Sequence, residues 1–239
     1  MIFKKQKPYV AVINIIYVIV SLLFFALLWT LKILEDRHVI TFHTLAVQIL
    51  VPGYVGITCI YSLLNRNGKN IQMLITAALL FAMVAEIINA CNLSYGLLFF
   101  SLTHLCLTIY HWTHTKVSKK FEIVSLIIIS AISLIAILAI ELNLHTTNIE
   151  YELVVPLYTF ILALMVWRSI CTWGTEQCYR IIIGSILFYA CDIFILAELT
   201  SPDFQNPPLY LLILSWVTYF PALFSLSLIE KPIFIKNKK

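Results

Sequence analysis

Charge is what this sequence has least of. Of its 239 residues only 12% are Asp, Glu, Lys or Arg, while 61% are hydrophobic. Soluble domains carry about a quarter charged residues, so most of this chain's exterior must face lipid rather than water. No long polar stretch interrupts the apolar ones, which leaves a single integral domain over residues 1–239 and no separate soluble one. Short runs of alternating apolar and polar residues are absent, and with them the pattern of a membrane β-barrel. The six cysteines, Cys59, Cys91, Cys106, Cys171, Cys178 and Cys191, form no CxxC pair. Neither a disulfide framework nor a zinc ribbon is indicated, and they read as small packing residues. The basic start (Lys4, Lys5, Lys7) is not followed by a small-residue cleavage pattern, and the apolar stretch after it is too long for a signal peptide. It reads as a first, retained helix.

What the chain does have is eight apolar runs, at about residues 10–31, 44–64, 71–91, 93–114, 121–143, 151–171, 179–199 and 208–229. Each has the roughly 20 residues needed to cross about 30 Å of hydrocarbon. The expected fold is therefore all-α, a polytopic bundle of eight transmembrane helices. With the N-terminus inside, fourteen of the sixteen Lys and Arg residues fall on the cytoplasmic side, and only Lys32 and Arg37 fall outside. That bias places both termini in the cytoplasm of a plasma membrane, expected to be a bacterial inner one. The net charge of +4 is thus a topology signal, not an affinity for nucleic acid. The connections 32–43 and 200–207 are the two longest; the second, with Pro202 and Pro207 and followed at once by Pro208, is expected to be an ordered outer loop or a lid. A weak echo links "LFAMVAE" ending at Glu86 with "LFYACD" ending at Asp192. Four helices separate them, as in a 4+4 parallel repeat.

An ionisable side chain at bilayer depth costs at least ~2.5–3.5 kcal/mol and usually faces the protein interior. Arg168 lies close enough to a helix end to snorkel, and Glu122, Glu141 and Glu198 can reach water. Glu86, His104 and Asp192 cannot. At about 1.5 Å per residue, Glu86 and Asp192 lie roughly 22 and 20 Å from the cytoplasmic face, so with His104 they are expected to share one cavity. Asn89 follows Glu86 by three residues, and Ser185 and Tyr189 precede Asp192 by seven and three. Ser101, Thr108 and His111 share a helical face with His104. Asn14, Tyr17 and Ser21 form a polar face on the first helix, and Ser215, Thr218 and Tyr219 stand on the last. Most such Ser, Thr, Asn and Tyr residues serve as interhelical glue, worth about 0.6 kcal/mol each. Two carboxyls in a low-dielectric cavity do not both ionise cheaply, which leaves one protonated beside one charged. General acid–base catalysis and proton-coupled transport of a small molecule both suit that arrangement.

A metal centre is not expected: His104, His111 and His114 share one helix, but no second His or Cys cluster supports them. No cofactor is implied. A retinal Schiff base is excluded, since the last two helices hold no interior lysine.

Several segments resemble the YhhN-like membrane proteins, a family that includes lysoplasmalogenases. "GSILFYACDIFILA" at 184–197 is similar to the family's acidic helix, with Asp192 on its acid. "LLFAMVAEIINA" at 79–90 resembles the first acidic helix, although Ala85-Glu86 stands where the family has Gly-Asp. "LFFSLTHLCLTIY" at 98–110 places His104 on the family's histidine, and "PLYTFILALMVW" at 156–167 and "WVTYFPALF" at 216–224 resemble two further segments. Cys191, Val51 and Leu223 replace the family's serine, lysine and glutamine. The resemblance implies eight spans and hydrolysis of the vinyl-ether bond of a lysoplasmalogen, releasing a fatty aldehyde and a glycerophospho-alcohol. It implies Glu86 and Asp192 as the catalytic carboxyl pair, with His104, Asn89, Tyr189 and Tyr219 supporting the reaction or holding the lysophospholipid. A diverged member that binds or processes another lipid is the alternative from the same resemblance.

Overall fold

The computed structural model describes residues 8–36, 43–64, 72–89, 92–143, 149–175, 177–199 and 209–229. Over these residues the chain forms eight α-helices and no strand. They are α1 (Pro8–Asp36), α2 (His43–Leu64), α3 (Gln72–Asn89), α4 (Leu93–Thr113), α5 (Lys119–Asn143), α6 (Ile149–Ile170), α7 (Cys178–Leu199) and α8 (Leu209–Ser227). Their bounds follow the apolar runs closely, except that α1 continues to Asp36. Among the described residues, three helices are long and apolar enough to cross a membrane: Gln72–Asn89, Lys119–Leu138 and Cys178–Ala197. The proline-rich connection at 200–207 lies outside the described residues.

Local chemistry sets the helix ends. Asn92 is the N-cap of α4, its side chain accepting from Tyr95 N at 3.2 Å. That bond satisfies one of the donors every helix start leaves unpaired. Between α6 and α7 the chain turns through Gly174 at φ 86°, a conformation that only glycine adopts without strain.

Helices α3 and α4 pack together most extensively, as do α7 and α8. The pairs α2–α3, α4–α6, α6–α7 and α8–α2 complete a ring of six helices. Helix α1 lies outside the ring against α2, and α5 lies outside it against α6 and α7. Raising each helix number by four leaves this set of ring neighbours unchanged.

The correspondence extends to single residues. The buried positions of α3 (Gln72, Ile75, Ala78, Leu79, Ala82, Ala85) each have a buried partner 106 residues later, from Cys178 to Cys191 in α7. In α2, Val51, Tyr54, Val55, Thr58, Cys59 and Tyr61 match buried α6 residues from Val155 to Met165, 104 positions on. The Val-Pro-x-Tyr sequence occurs at the same place in both, 51–54 and 155–158.

Small residues allow the two tightest pairs to close. A Cβ at Gly96 would lie 2.9 Å from Asn89 Cβ, and one at Gly184 would lie 2.9 Å from Leu226 Cγ. Thr103 Oγ1 donates to Ala78 O at 3.2 Å, pinning α4 to α3. Helix α1 is held by Tyr17, bonded to Ser227 at 2.8 Å and stacked on Tyr61 at 3.7 Å; Tyr61 in turn donates to Asn14 at 2.7 Å. The polar face of the first helix is thus largely interhelical glue.

One expectation is corrected here. Arg168 does not snorkel outward: it is 4% exposed, stacked between Trp112 (3.4 Å) and Trp167 (4.0 Å), and paired with Glu122. Trp167 Nε1 also donates to Glu122 O at 2.9 Å. Two indole faces and a carboxylate replace the water the guanidinium would otherwise seek.

Candidate functional site

Glu86 and Asp192 occupy the same place in their helices, each the fifteenth residue of its element, about 21 Å from the helix start. Helix α4 runs antiparallel to both and carries His104 to the same level. Its polar stripe divides into two roles. Ser101 and Thr108 turn back to Leu97 O (2.9 Å) and His104 O (2.7 Å), while His104 and His111 reach across the ring.

His104 is fully buried, and its ring nitrogens face three side chains. Its Nδ1 lies 3.3 Å from Met165 Sδ, and its Nε2 lies 3.0 Å from the Tyr158 hydroxyl and 3.4 Å from Asp192 Oδ2. The partners set the protons, since hydrogens are assigned from the network. Sulfur is a weak acceptor, so Nδ1–H faces Met165 and Nε2 offers a lone pair to which Tyr158 O–H donates. The same nitrogen faces the Asp192 carboxyl, so imidazole, phenol and carboxyl form one compact polar group.

Glu86, partly buried, lies beside the Tyr219 hydroxyl of α8 and within electrostatic range of Asp192. The Tyr219 hydroxyl is enclosed and falls outside ordinary hydrogen-bond geometry. Phe188 walls the group: it meets the His104 ring edge-on at 4.9 Å and the Tyr219 ring at 5.5 Å. Cys191, 2% exposed, interacts electrostatically with both Tyr158 and Tyr219.

The structure thus gathers Glu86, His104, Asp192 and Tyr219. It takes the other two candidates elsewhere. Asn89 packs its side chain against Gly96 in the α3–α4 seam. The Tyr189 hydroxyl pairs with Ser133 of α5 at 3.2 Å, which ties the peripheral helix to α7. Three residues before Asp192, Tyr189 is offset by about 60° around α7, on the side where Ser133 of α5 packs. Tyr158, Met165 and Phe188 were missed. The available signal for Tyr158 was the repeated Val-Pro-x-Tyr, which puts Tyr158 and Tyr54 at matching positions.

Among the described residues no three His, Cys, Asp or Glu side chains are placed to hold a metal ion. The arrangement suits proton movement: two carboxyls, an imidazole and two phenols enclosed by aromatic and aliphatic walls, where electrostatic interactions are strengthened.

No curated protein and no solved structure matches the chain. The sequence profile of the YhhN family matches residues 49–228. That span includes every residue of the His104–Asp192–Tyr158 group and of the Glu86–Tyr219 pair. The chain belongs to the YhhN family.

Proposed function

We propose that this protein is an intramembrane hydrolase of the vinyl-ether bond of lysoplasmalogens, or of a closely related alkenyl lipid. In this reading all eight helices span the membrane, both termini are cytoplasmic, and the helices form two parallel sets of four. The matching buried positions of α2 with α6 and of α3 with α7 support the duplication. The observation that carries the function is the buried His104–Asp192 contact at 3.4 Å, with a second carboxyl, Glu86, in electrostatic range.

The chemistry needs those parts. One carboxyl of the Glu86–Asp192 pair, protonated, gives its proton to the β-carbon of the vinyl ether, forming a C–H bond and leaving an oxocarbenium ion at the α-carbon. The other, ionised, stabilises that cation and takes a proton from the water that attacks it, as paired carboxyls do in glycoside hydrolysis. The hemiacetal then collapses: its C–O bond to the glycerol breaks, the aldehyde forms, and the proton on the second carboxyl returns to the leaving oxygen. The hemiacetal hydroxyl proton restores the first. His104 holds the Asp192 carboxyl in place, and Tyr158 fixes the imidazole. The lipid reaches the ring within the bilayer, so its chain never crosses water.

The test is direct. Purified protein in detergent, incubated with lysoplasmalogen, should release fatty aldehyde in step with substrate loss by mass spectrometry. Turnover without any ion gradient sets a hydrolase apart from a proton-coupled transporter. No consumption of any alkenyl lipid would refute the reading.

A further inference from the structure

We infer that the half of the ring nearest the α4–α5 and α6–α7 turns is a hydrated vestibule, in which His111 and Ser185 bind water beneath the His104–Asp192 pair, with Phe188 as the barrier between. His111 is 0% exposed, yet it sits deep between α4 and α7 with its Nε2 3.1 Å from Ser185 Oγ. Its Nδ1 is buried with no hydrogen-bond partner from the protein. An imidazole carries two polar nitrogens, and leaving one unsatisfied in an enclosed place is costly.

The placement of this pair gives it meaning. His111 lies seven residues along α4 from His104, and Ser185 lies seven residues back along α7 from Asp192. The helices are antiparallel, so the two cross-ring pairs form successive rungs, two helical turns or about 10 Å apart. The lower rung lies on the side of the α6–α7 turn. Thr175 Oγ1, in that turn, is likewise buried and unpartnered.

Water is the occupant that fits. A hydrocarbon chain satisfies neither nitrogen nor hydroxyl. A metal ion needs several ligands together, and among the described residues no three His, Cys, Asp or Glu side chains gather to hold one. A water needs two to four polar partners, which an imidazole nitrogen and a serine hydroxyl begin to supply. Polar groups at membrane depth commonly line such water-filled spaces. Between the rungs stands Phe188, 0% exposed, three residues beyond Ser185 and four before Asp192, with its edge toward His104. Thr108, near the same level of α4, spends its hydroxyl on His104 O. The ring of Phe188 therefore separates the lower water from the His104–Asp192 pair. The purpose of that water, as a reactant at mid-membrane, rests on the proposed hydrolysis; the vestibule itself does not.

Two measurements test it. In the unaltered protein, brief X-ray radiolysis generates hydroxyl radicals from water held in place, and mass spectrometry locates the oxidised side chains. His111 and Phe188 should be oxidised at least about fivefold faster than Phe100, which is similarly enclosed, after correction for intrinsic reactivity; equal rates would overturn the vestibule. In a variant with Ser185→Cys as its sole cysteine, silver ion added from the cytoplasmic side should block the thiol. Blocking only from the opposite side, or none while a cysteine at position 118 is blocked, would overturn the route. Phe188→Ala should let silver reach a sole retained Cys191, which the parent side chain shields. Neither readout needs turnover. Hydrated His111 in a protein that hydrolyses no alkenyl lipid sinks the functional proposal alone, whereas dry His111 in an active enzyme sinks the vestibule alone.

Discussion

Asp192→Asn separates catalysis from folding at the centre of the ring. The amide keeps the shape of the carboxyl and a hydrogen-bonding atom 3.4 Å from His104 Nε2, but it cannot give up a proton. Losing a general acid or base costs at least ~10²-fold in rate, or about 2.7 kcal/mol of transition-state stabilisation. Stability should respond differently. The amide is uncharged, so it brings no cost of holding a charge at bilayer depth, and it fills the same space beside His104. The melting temperature of Asp192→Asn should therefore stay within a few degrees of the parent. Glu86→Gln should behave alike. Aldehyde release and thermal unfolding must be measured on the same purified samples. A variant that keeps full activity, or one whose lost activity tracks unfolding, would refute the assignment.

Tyr158→Phe removes the hydroxyl 3.0 Å from His104 and should lower kcat about tenfold or more, while Tyr189→Phe, whose hydroxyl serves Ser133, should change stability by only about 0.6 kcal/mol and leave kcat intact. Paired kinetic and melting curves on the two variants check this contrast. Gly96→Ala should destabilise the α3–α4 pair more than Gly184→Ala does the α7–α8 pair. The first new methyl meets Asn89 Cβ and backbone Cα at 2.9–3.0 Å, and the second meets mainly the movable Leu226 side chain. Arg168→Lys should cost about 1 kcal/mol or more by chemical unfolding, because an ammonium cannot fill the slot between two indoles as a planar guanidinium does. Single cysteines at positions 118 and 237 should label from the cytoplasm and one at 204 from outside; cytoplasmic access at 204 would refute the topology.

The helices were legible because continuous apolar runs of about twenty residues have few other folds available to them. The shared level of Glu86, His104 and Asp192 along the bundle was legible for the same reason, since helical rise converts sequence position to height. Rotation about each helix was not. Tyr189 and Tyr158 are both tyrosines in apolar helices, and nothing in their immediate neighbours reveals that α7 turns one toward α5 while α6 turns the other onto His104. Asn14 and Tyr17 likewise look like cavity residues until α1 is seen lying outside the ring. Arg168 was misjudged because its stabilising partners, Trp112 and Glu122, come from two other helices. Position along the membrane normal is local information; direction around the helix depends on neighbours that only the packed ring supplies.

Helix α5 has 25 residues, about 38 Å of helix, which exceeds the roughly 30 Å hydrocarbon thickness of a bilayer. It is moored near one end by the Glu122–Arg168 pair and the Trp167 indole, and farther along by the Ser133–Tyr189 contact. Little else of its span is buried, and the side chains of Ile127, Ile128, Leu134 and Ile135 are exposed. Such a mast, fixed at its foot and lightly stayed at mid-height, can lean as the bilayer thickens or thins. In the proposed topology, such leaning would be taken up by lipid contacts, which are nearly equivalent at every tilt. Variation in membrane thickness would then be absorbed at the periphery, away from His104, Asp192 and Glu86.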